Sequence, residues 1–430
     1  MIKLWTKNFT IITMGTVVSM LGNAVAGFAI GLMVLDYTES TLLYAIFMIC
    51  YSLPRVILPL LAGPYLDRFS RKKTIYLLDF FSAALYAVIA MMLFFDLFNY
   101  IFFLALSMIV GSVDSVYSVA YESLYPTLIS KGNFGKAYAI SSLIYPIANT
   151  IMVPIAGICY NTVGLIPLFI FNSISFLIAA IVETLINADE THIINQKAEK
   201  FSAARFKNDL KDGLNYLRAE PGLMAICAYF FVTMMAGGAE GALVLPFFKS
   251  EAGDAVTSIF PGLFDMLGLN TAVGRGVAVY TVIMSISTFG RLVGGALHYK
   301  IRLKPEWKFA IAVTVYTSIC FLDGSYLFLP VELMMLMKFI TGFLAVNSFN
   351  IRISSTQNYV PNEKRGRFNG ISQMIMTAGT IIGQLMAGAF GEITSPRLII
   401  VISLAINLVA VFGIMVANGR HVKRIYNNEV

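Results

Sequence analysis

Charge is what this chain lacks most. Only 13% of its 430 residues are Asp, Glu, Lys or Arg, about half the roughly 25% of soluble domains. So little charge cannot cover a water-facing surface, which excludes the string of soluble domains that the length alone would allow. Histidine and cysteine are scarce as well, at three and four residues. His192, His298 and His421 are scattered, and Cys50, Cys159, Cys227 and Cys320 lie inside apolar runs with no metal-motif spacing, so no metal and no disulfide framework is expected. A Gly-x-x-x-x-Gly-Lys-Ser/Thr loop is missing, which excludes an ATP-driven pump made of this chain alone. No acid, base and metal residues gather at one depth, as a membrane-embedded enzyme would require, and no cofactor is expected. The polar segments are too short to hold the effector domain of a sensor. The net charge of +7 is spread over short basic clusters between apolar runs, a pattern of membrane-flanking loops rather than of nucleic-acid binding.

What is abundant is apolar sequence: 58% of residues are hydrophobic and the mean hydropathy is +0.76. Twelve stretches reach the ~20 residues that a bilayer-spanning helix needs, at 9–35, 41–63, 74–95, 99–121, 134–159, 164–187, 223–248, 273–297, 308–328, 331–351, 367–391 and 395–417. The first, Phe9–Leu35, follows Lys3 and Lys7 and contains the small-x-small triplet Ala24-Val25-Ala26, but it is too long for a signal-peptide core. The largest polar interruption, Ala188–Pro221, contains "FKNDLKDGLNYLRAEPG", which reads as an amphipathic helix at a membrane surface. The expected organisation is a six-helix bundle over 1–187, a cytoplasmic linker over 188–222, a second six-helix bundle over 223–418 and a cytoplasmic tail over 419–430. An N-terminus inside places 25 of the 31 Lys and Arg on the inner side, so both termini are expected in the cytoplasm of a cell-membrane protein. The longest outer loop, about Lys249–Ala272, carries "SIFPGLFDMLGL" and reads either as a short interfacial helix or as a packed lid.

The two halves repeat. A shift of 231 residues puts Gly63 on Gly294, Arg71 on Arg302, Gly111 on Gly342 and Gly135 on Gly366, and Ala156-Gly157 on Ala387-Gly388. Repeats of this kind place a binding site between the halves near the bilayer midplane.

The segment "GPYLDRFSRKK", Gly63 to Lys73, resembles motif A of the major facilitator superfamily, and lies where that family carries it, between helices 2 and 3. Gly63, Asp67, Arg68, Arg71 and Lys72 match. Tyr65 and Ser70 depart, at the leucine and second glycine positions. The second copy, "GGALHYKIRLK", keeps Gly294, Leu297 and Arg302 and has His298 at the aspartate position. "SLPRVILPLLAGPYLDRFSRKK", "DLKDGLNYLRAEPGL" and "GRFNGISQMIMTAGTIIGQLMAG" resemble the bacterial drug, macrolide and siderophore exporters of that superfamily. The resemblance implies an all-α polytopic membrane protein with the major facilitator fold, twelve helices in two pseudo-symmetric bundles. It also implies that Asp67 docks at the start of helix 11 near Gly366, where a helix terminus favours a carboxylate by about 0.3–1 kcal/mol. Arg68 and Arg71 would reach Glu122, so that the cluster latches the cytoplasmic side and favours the outward-facing state. The alternative is that these charges only set topology.

Charged residues within the apolar runs cost about 2.5–3.5 kcal/mol each on insertion scales and are functional candidates. They are Arg55, Asp79, Asp114, Glu240, Arg291 and Lys338. The resemblance implies that helices 1, 4, 7 and 10 line the central cavity. That raises Asp114, which Arg55 can neutralise, and Glu240, set in "AGGAEGAL"; for both, a structural ion pair is the alternative, and for Glu240 also a glycine-rich packing face with the side chain snorkelling outward. Asp79 is expected to pair with the basic loop near its helix start. Tyr117, Tyr121, Tyr145, Asn149, Asn347, Asn350 and Gln373 would give the cavity a polar-aromatic lining. Asn23 lies where many drug exporters have an acid, which argues against proton coupling at that position. The expected function is secondary active transport: proton-coupled export of a hydrophobic or amphipathic small molecule by alternating access, by a monomer. One proton crossing ~100 mV supplies about 2.3 kcal/mol, roughly a 50-fold concentration ratio. An importer of the same fold or a lysophospholipid flippase is the alternative.

Overall fold

In a computed structural model, the chain is described at residues 4–58, 70–130, 134–187, 203–250, 255–260, 262, 272–300 and 304–427. Nearly all of the described residues are helical, and among them twelve helices are long and apolar enough to cross a membrane, as the hydropathy pattern predicts. They are α1 (Lys7–Thr38), α2 (Thr41–Ser52), α3 (Arg71–Phe94), α4 (Tyr100–Leu124), α5 (Phe134–Val163), α6 (Ile166–Glu183), α7 (Pro221–Lys249), α8 (Ala272–Lys300), α9 (Lys308–Ser325), α10 (Val331–Tyr359), α11 (Asn362–Gly391) and α12 (Pro396–Ala410). Past a turn at Leu53, α2 continues helically to Leu58, and a π-helical turn, Val411–Val416, extends α12. Ala203–Ala219 forms a further helix ahead of α7, and Gly419–Tyr426 forms a short terminal one.

The ends follow local chemistry. Side chains of Thr6, Ser70 and Asn99 accept the backbone N–H of Phe9, Lys73 and Phe102 at 3.2, 3.0 and 3.1 Å, which satisfies donors that the first turns of α1, α3 and α4 would leave orphaned. Proline opens α6, α7 and α12, where its missing N–H costs nothing. Gly164, at φ +81, joins α5 to α6 in a conformation that glycine adopts without a steric penalty.

The chain divides into two compact units, one of residues 1–39 and 47–201, the other of 40–46 and 202–430. In the first, α3 packs on α6, α1 on α5 and α6, and α3 on α4; in the second, α9 packs on α12, α7 on α11 and α12, and α9 on α10. Each pairing has its counterpart six helices later. The repeat extends to single glycines. A Cβ on Gly111 of α4 would lie 2.0 Å from the Tyr51 carbonyl oxygen of α2, and one on Gly342 of α10 would lie 2.0 Å from the Ser287 carbonyl oxygen of α8. Both glycines permit a backbone-to-backbone approach closed to any side chain.

The start of α2 belongs to the second unit. Glu392, after α11, accepts hydrogen bonds from the Leu42 N–H at 2.9 Å, the Ser40 hydroxyl at 2.5 Å and the Thr41 hydroxyl at 3.3 Å. Of the loop between α7 and α8, Ala255–Phe260 runs without a helix. Glu332 at the head of α10 holds it there, accepting from the Ile259 and Phe260 N–H groups and the Ser258 hydroxyl. Nearly all of the remaining "SIFPGLFDMLGL" lies outside the described residues.

Candidate functional site

The close approach at Gly111 decides what stands one turn further along α4. Asp114 meets α2, where Tyr51 and Arg55, four residues apart, share a helix face. The Tyr51 hydroxyl donates to Asp114 Oδ2 at 2.5 Å. The Arg55 guanidinium donates to the Tyr51 hydroxyl at 2.6 Å and to Asp114 Oδ2 at 3.1 Å, and lies 4.6 Å from the Tyr51 ring centroid. Arg55 and Asp114 side chains remain 49% and 25% exposed, so the pair is open to exchange of partners. Arg55 and Asp114 thus meet as their charges suggest. Tyr51, an unmarked aromatic in an apolar run, completes the group.

The second unit holds a denser cluster. Lys338 of α10 donates to Asp323 of α9 at 2.8 Å and to Glu240 of α7. Its ammonium also lies 4.1 Å from the ring centroid of the fully buried Tyr326, and Arg291 of α8 adds to the field at Glu240. Lys338 and Asp323 side chains are 6% and 8% exposed and Glu240 19%, so one cation faces two carboxyls almost out of water. With both ionised, Lys338 balances one of the two charges and Arg291, from α8, offsets part of the other. A proton or a cationic substrate group can supply the balance. Asp323, near the end of its apolar run in "FLDGSY", is the residue the sequence reading passed over.

The other expected residues separate. Most of the basic loop that Asp79 was expected to meet, residues 66–69, lies outside the described residues. The Asp79 carboxyl is buried in the first unit against that of Glu183 on α6, because the face of α3 that carries it packs on α6. The Tyr117 hydroxyl is buried without a hydrogen-bond partner, near Glu183 and Thr16. Tyr121 stacks between Tyr117 and Tyr125, at 6.2 and 5.1 Å between centroids, and reaches the Ser141 hydroxyl at 3.4 Å. Tyr145 is exposed, and the Asn149 and Asn347 amides donate back along their own helices, to the Tyr145 and Phe343 carbonyls at 3.0 and 2.7 Å. Asn350 is half-buried and Gln373 exposed. Arg352, one turn beyond Ser348 on α10, stacks 4.3 Å from the Phe230 centroid and 5.4 Å from that of Phe349. Gly63, Asp67 and Arg68 lie outside the described residues. Arg71 opens α3, Glu122 is exposed in the last turn of α4, and Gly366 lies in the first turns of α11. Among the described residues, no three His, Cys, Asp or Glu are placed to hold a metal ion.

Twelve apolar helices in two repeat-related units, with charged clusters inside them, define a polytopic membrane transporter rather than an enzyme. The chain belongs to the Major Facilitator Superfamily, whose sequence profile matches residues 12–329. An uncharacterised MFS-type transporter of Bacillus subtilis strain 168, YkuC, is 25% identical over 324 residues, which cover 74% of this chain and 70% of that protein. Among solved structures, the nucleoside transporter NupG is similar with a TM-score of 0.69 at 15% identity, over 96% of this chain and 99% of that one. A peptide transporter POT bound to alafosfalin gives a TM-score of 0.67 at 10% identity, over 97% and 96%. At such identities these two structures show the fold and leave the substrate open.

Proposed function

We propose that this transporter is a proton-coupled exporter of a hydrophobic or amphipathic small molecule, working by alternating access in the cell membrane with both termini cytoplasmic. The observation that carries the reading is Asp114, held inside the membrane-spanning helices by two partners, Tyr51 and Arg55, of which Arg55 is half exposed. An antiporter needs a carboxyl whose proton affinity differs between its two states, and a partner that can come and go provides the difference. Asp114 takes the coupling proton. Glu240, Asp323 and Lys338 hold the substrate end, with Arg291 acting on Glu240, and the two carboxyls favour amphipathic cations. Tyr145, Asn149, Asn347, Asn350 and Gln373 contribute polar contacts along the path. The Asp67–Arg68–Arg71 loop, with Glu122 and the start of α11 at Gly366, biases the resting population outward.

Direction and substrate class are tested together in inverted vesicles carrying the protein. With an inward-acid pH gradient, they should accumulate tetraphenylphosphonium or a macrolide above vesicles lacking the protein. Accumulation of a nucleoside instead, or movement only in right-side-out vesicles, would replace export of amphiphiles with import.

A further inference from the structure

Inside the first unit, apart from the Asp114 group, two carboxyls face each other with almost no access to water. Asp79 of α3 is 1% exposed and Glu183, the last residue of α6, is 0% exposed. They lie within interaction reach of one another. Yet both oxygens of Glu183 and Oδ2 of Asp79 meet no donor. That combination has a simple chemistry. Two ionised carboxylates have nothing to donate, so their contact becomes a hydrogen bond only when one of them carries a proton.

Among the described residues, no cation acts on the pair. The groups of α4 that act on the pair are Tyr117, whose hydroxyl lies near Glu183, and the acidic Asp114. From α1 comes the neutral hydroxyl of Thr16, which acts on Tyr117; the charged residues of that helix, Lys7 and Asp36, lie near its two ends. Glu183 is the only charged residue of α6. The cations of α3, Arg71, Lys72 and Lys73, lie six to eight residues before Asp79, about 9–12 Å along the axis. Gly15 of α1 makes the room: a Cβ there would lie 2.8 Å from Glu183 Oε1. Two carboxylates this close and this dry cannot both stay ionised, and the proton they share belongs to the pair.

We propose that Asp79 and Glu183 form a proton-binding site in the interior of the first unit, holding one proton between them where α1, α3, α4 and α6 meet. The proton comes from water and leaves to water, and no other ligand is consumed. With the proton in place, α3 and α6 are joined by a carboxyl–carboxylate hydrogen bond. Without it, two like charges face each other across the same seam.

Infrared absorption of the purified full-length protein reads this directly, with no transport assay involved. At neutral pH, in potassium buffer, the wild type should show the carbonyl stretch of a protonated carboxyl in an apolar setting. Asp79→Asn and Glu183→Gln should each lose it, because the new amide donates to the remaining carboxylate. Asp79→Glu keeps both acids and should shift the band without removing it. A wild type with no such band, a wild-type spectrum from which neither amide substitution removes any component, or a spectrum unmoved by Asp79→Glu would overturn the assignment. A band that disappears when sodium replaces potassium at constant pH would also overturn it, by assigning the site to a sodium ion.

Discussion

Lys338 shows what a single residue does in a low-dielectric interior. It neutralises one of two carboxyls and hydrogen-bonds both, so its removal leaves Asp323 and Glu240 facing each other. Taking one partner from a buried ion group costs about 3–5 kcal/mol. Lys338→Met should therefore lower the melting temperature and the folded yield of the purified protein. Adding Glu240→Gln and Asp323→Asn to it should recover most of both; a single substitution as stable as the wild type would show that the cluster is well hydrated. Charges within apolar runs were legible as candidates at this scale, and Arg55 with Asp114 were legible as partners. Asp323 was missed because it stands near the end of its run, and Tyr51 because an aromatic in such a run carries no mark of a polar role. Glu183 beside Asp79 was not legible, because depth along α3 says nothing about which face of the helix a residue takes. A helix apolar on every side gives no periodic signal to tell its protein-facing side from its lipid-facing side.

Among the elements, the helix crossings at Gly111 and Gly342 make the sharpest demand. Gly111→Ala puts a methyl group 2.0 Å from a backbone oxygen, so α2 and α4 must part and Tyr51 must leave Asp114. The expected cost is about 1–3 kcal/mol or more, with a parallel loss for Gly342→Ala on α10. Gly27→Ala is the control, since nothing lies within 4 Å of its added Cβ. It should be neutral or stabilising by about 0.5–1 kcal/mol through helix propensity. Equal melting temperatures for the Gly111 and Gly27 variants would contradict the close crossing. The cap of α2 carries a pH signature. The Leu42 N–H and the Ser40 hydroxyl hold the Glu392 carboxyl below the usual glutamate range. A depressed folded-state value contributes stability above the unfolded-chain value and loses it as pH falls through the folded one. The stability difference between wild type and Glu392→Gln should thus be constant near neutrality and shrink in acid. A difference that grows on acidification would contradict the cap. The twelve helices were legible because each needs only length and hydropathy. The assignment of residues 40–46 to the second unit was not, because it rests on a carboxylate 352 residues away from Ser40.

For the whole molecule, the repeat and motif A carried the family from sequence to fold, while substrate and direction depend on side-chain arrangements that apolar composition does not encode. Topology is open to direct reading: single cysteines placed in 196–210 should resist an impermeant thiol reagent added to intact cells, and labelling from outside would reverse the orientation. Asp67→Asn should move the population towards the inward-facing state and lower transport without lowering expression. Spin labels near the cytoplasmic helix ends of the two units should then report longer distances, and unchanged distances with normal transport would reduce the motif to a topology signal. Coupling is the central claim, and gradient-driven accumulation in reconstituted vesicles tests it most directly, comparing wild type with Asp114→Asn for the same amphipathic cation. The account predicts that Asp114→Asn loses accumulation against the gradient but keeps downhill exchange. Accumulation at the wild-type rate in Asp114→Asn would contradict it and leave Asp114 a structural partner of Tyr51 and Arg55.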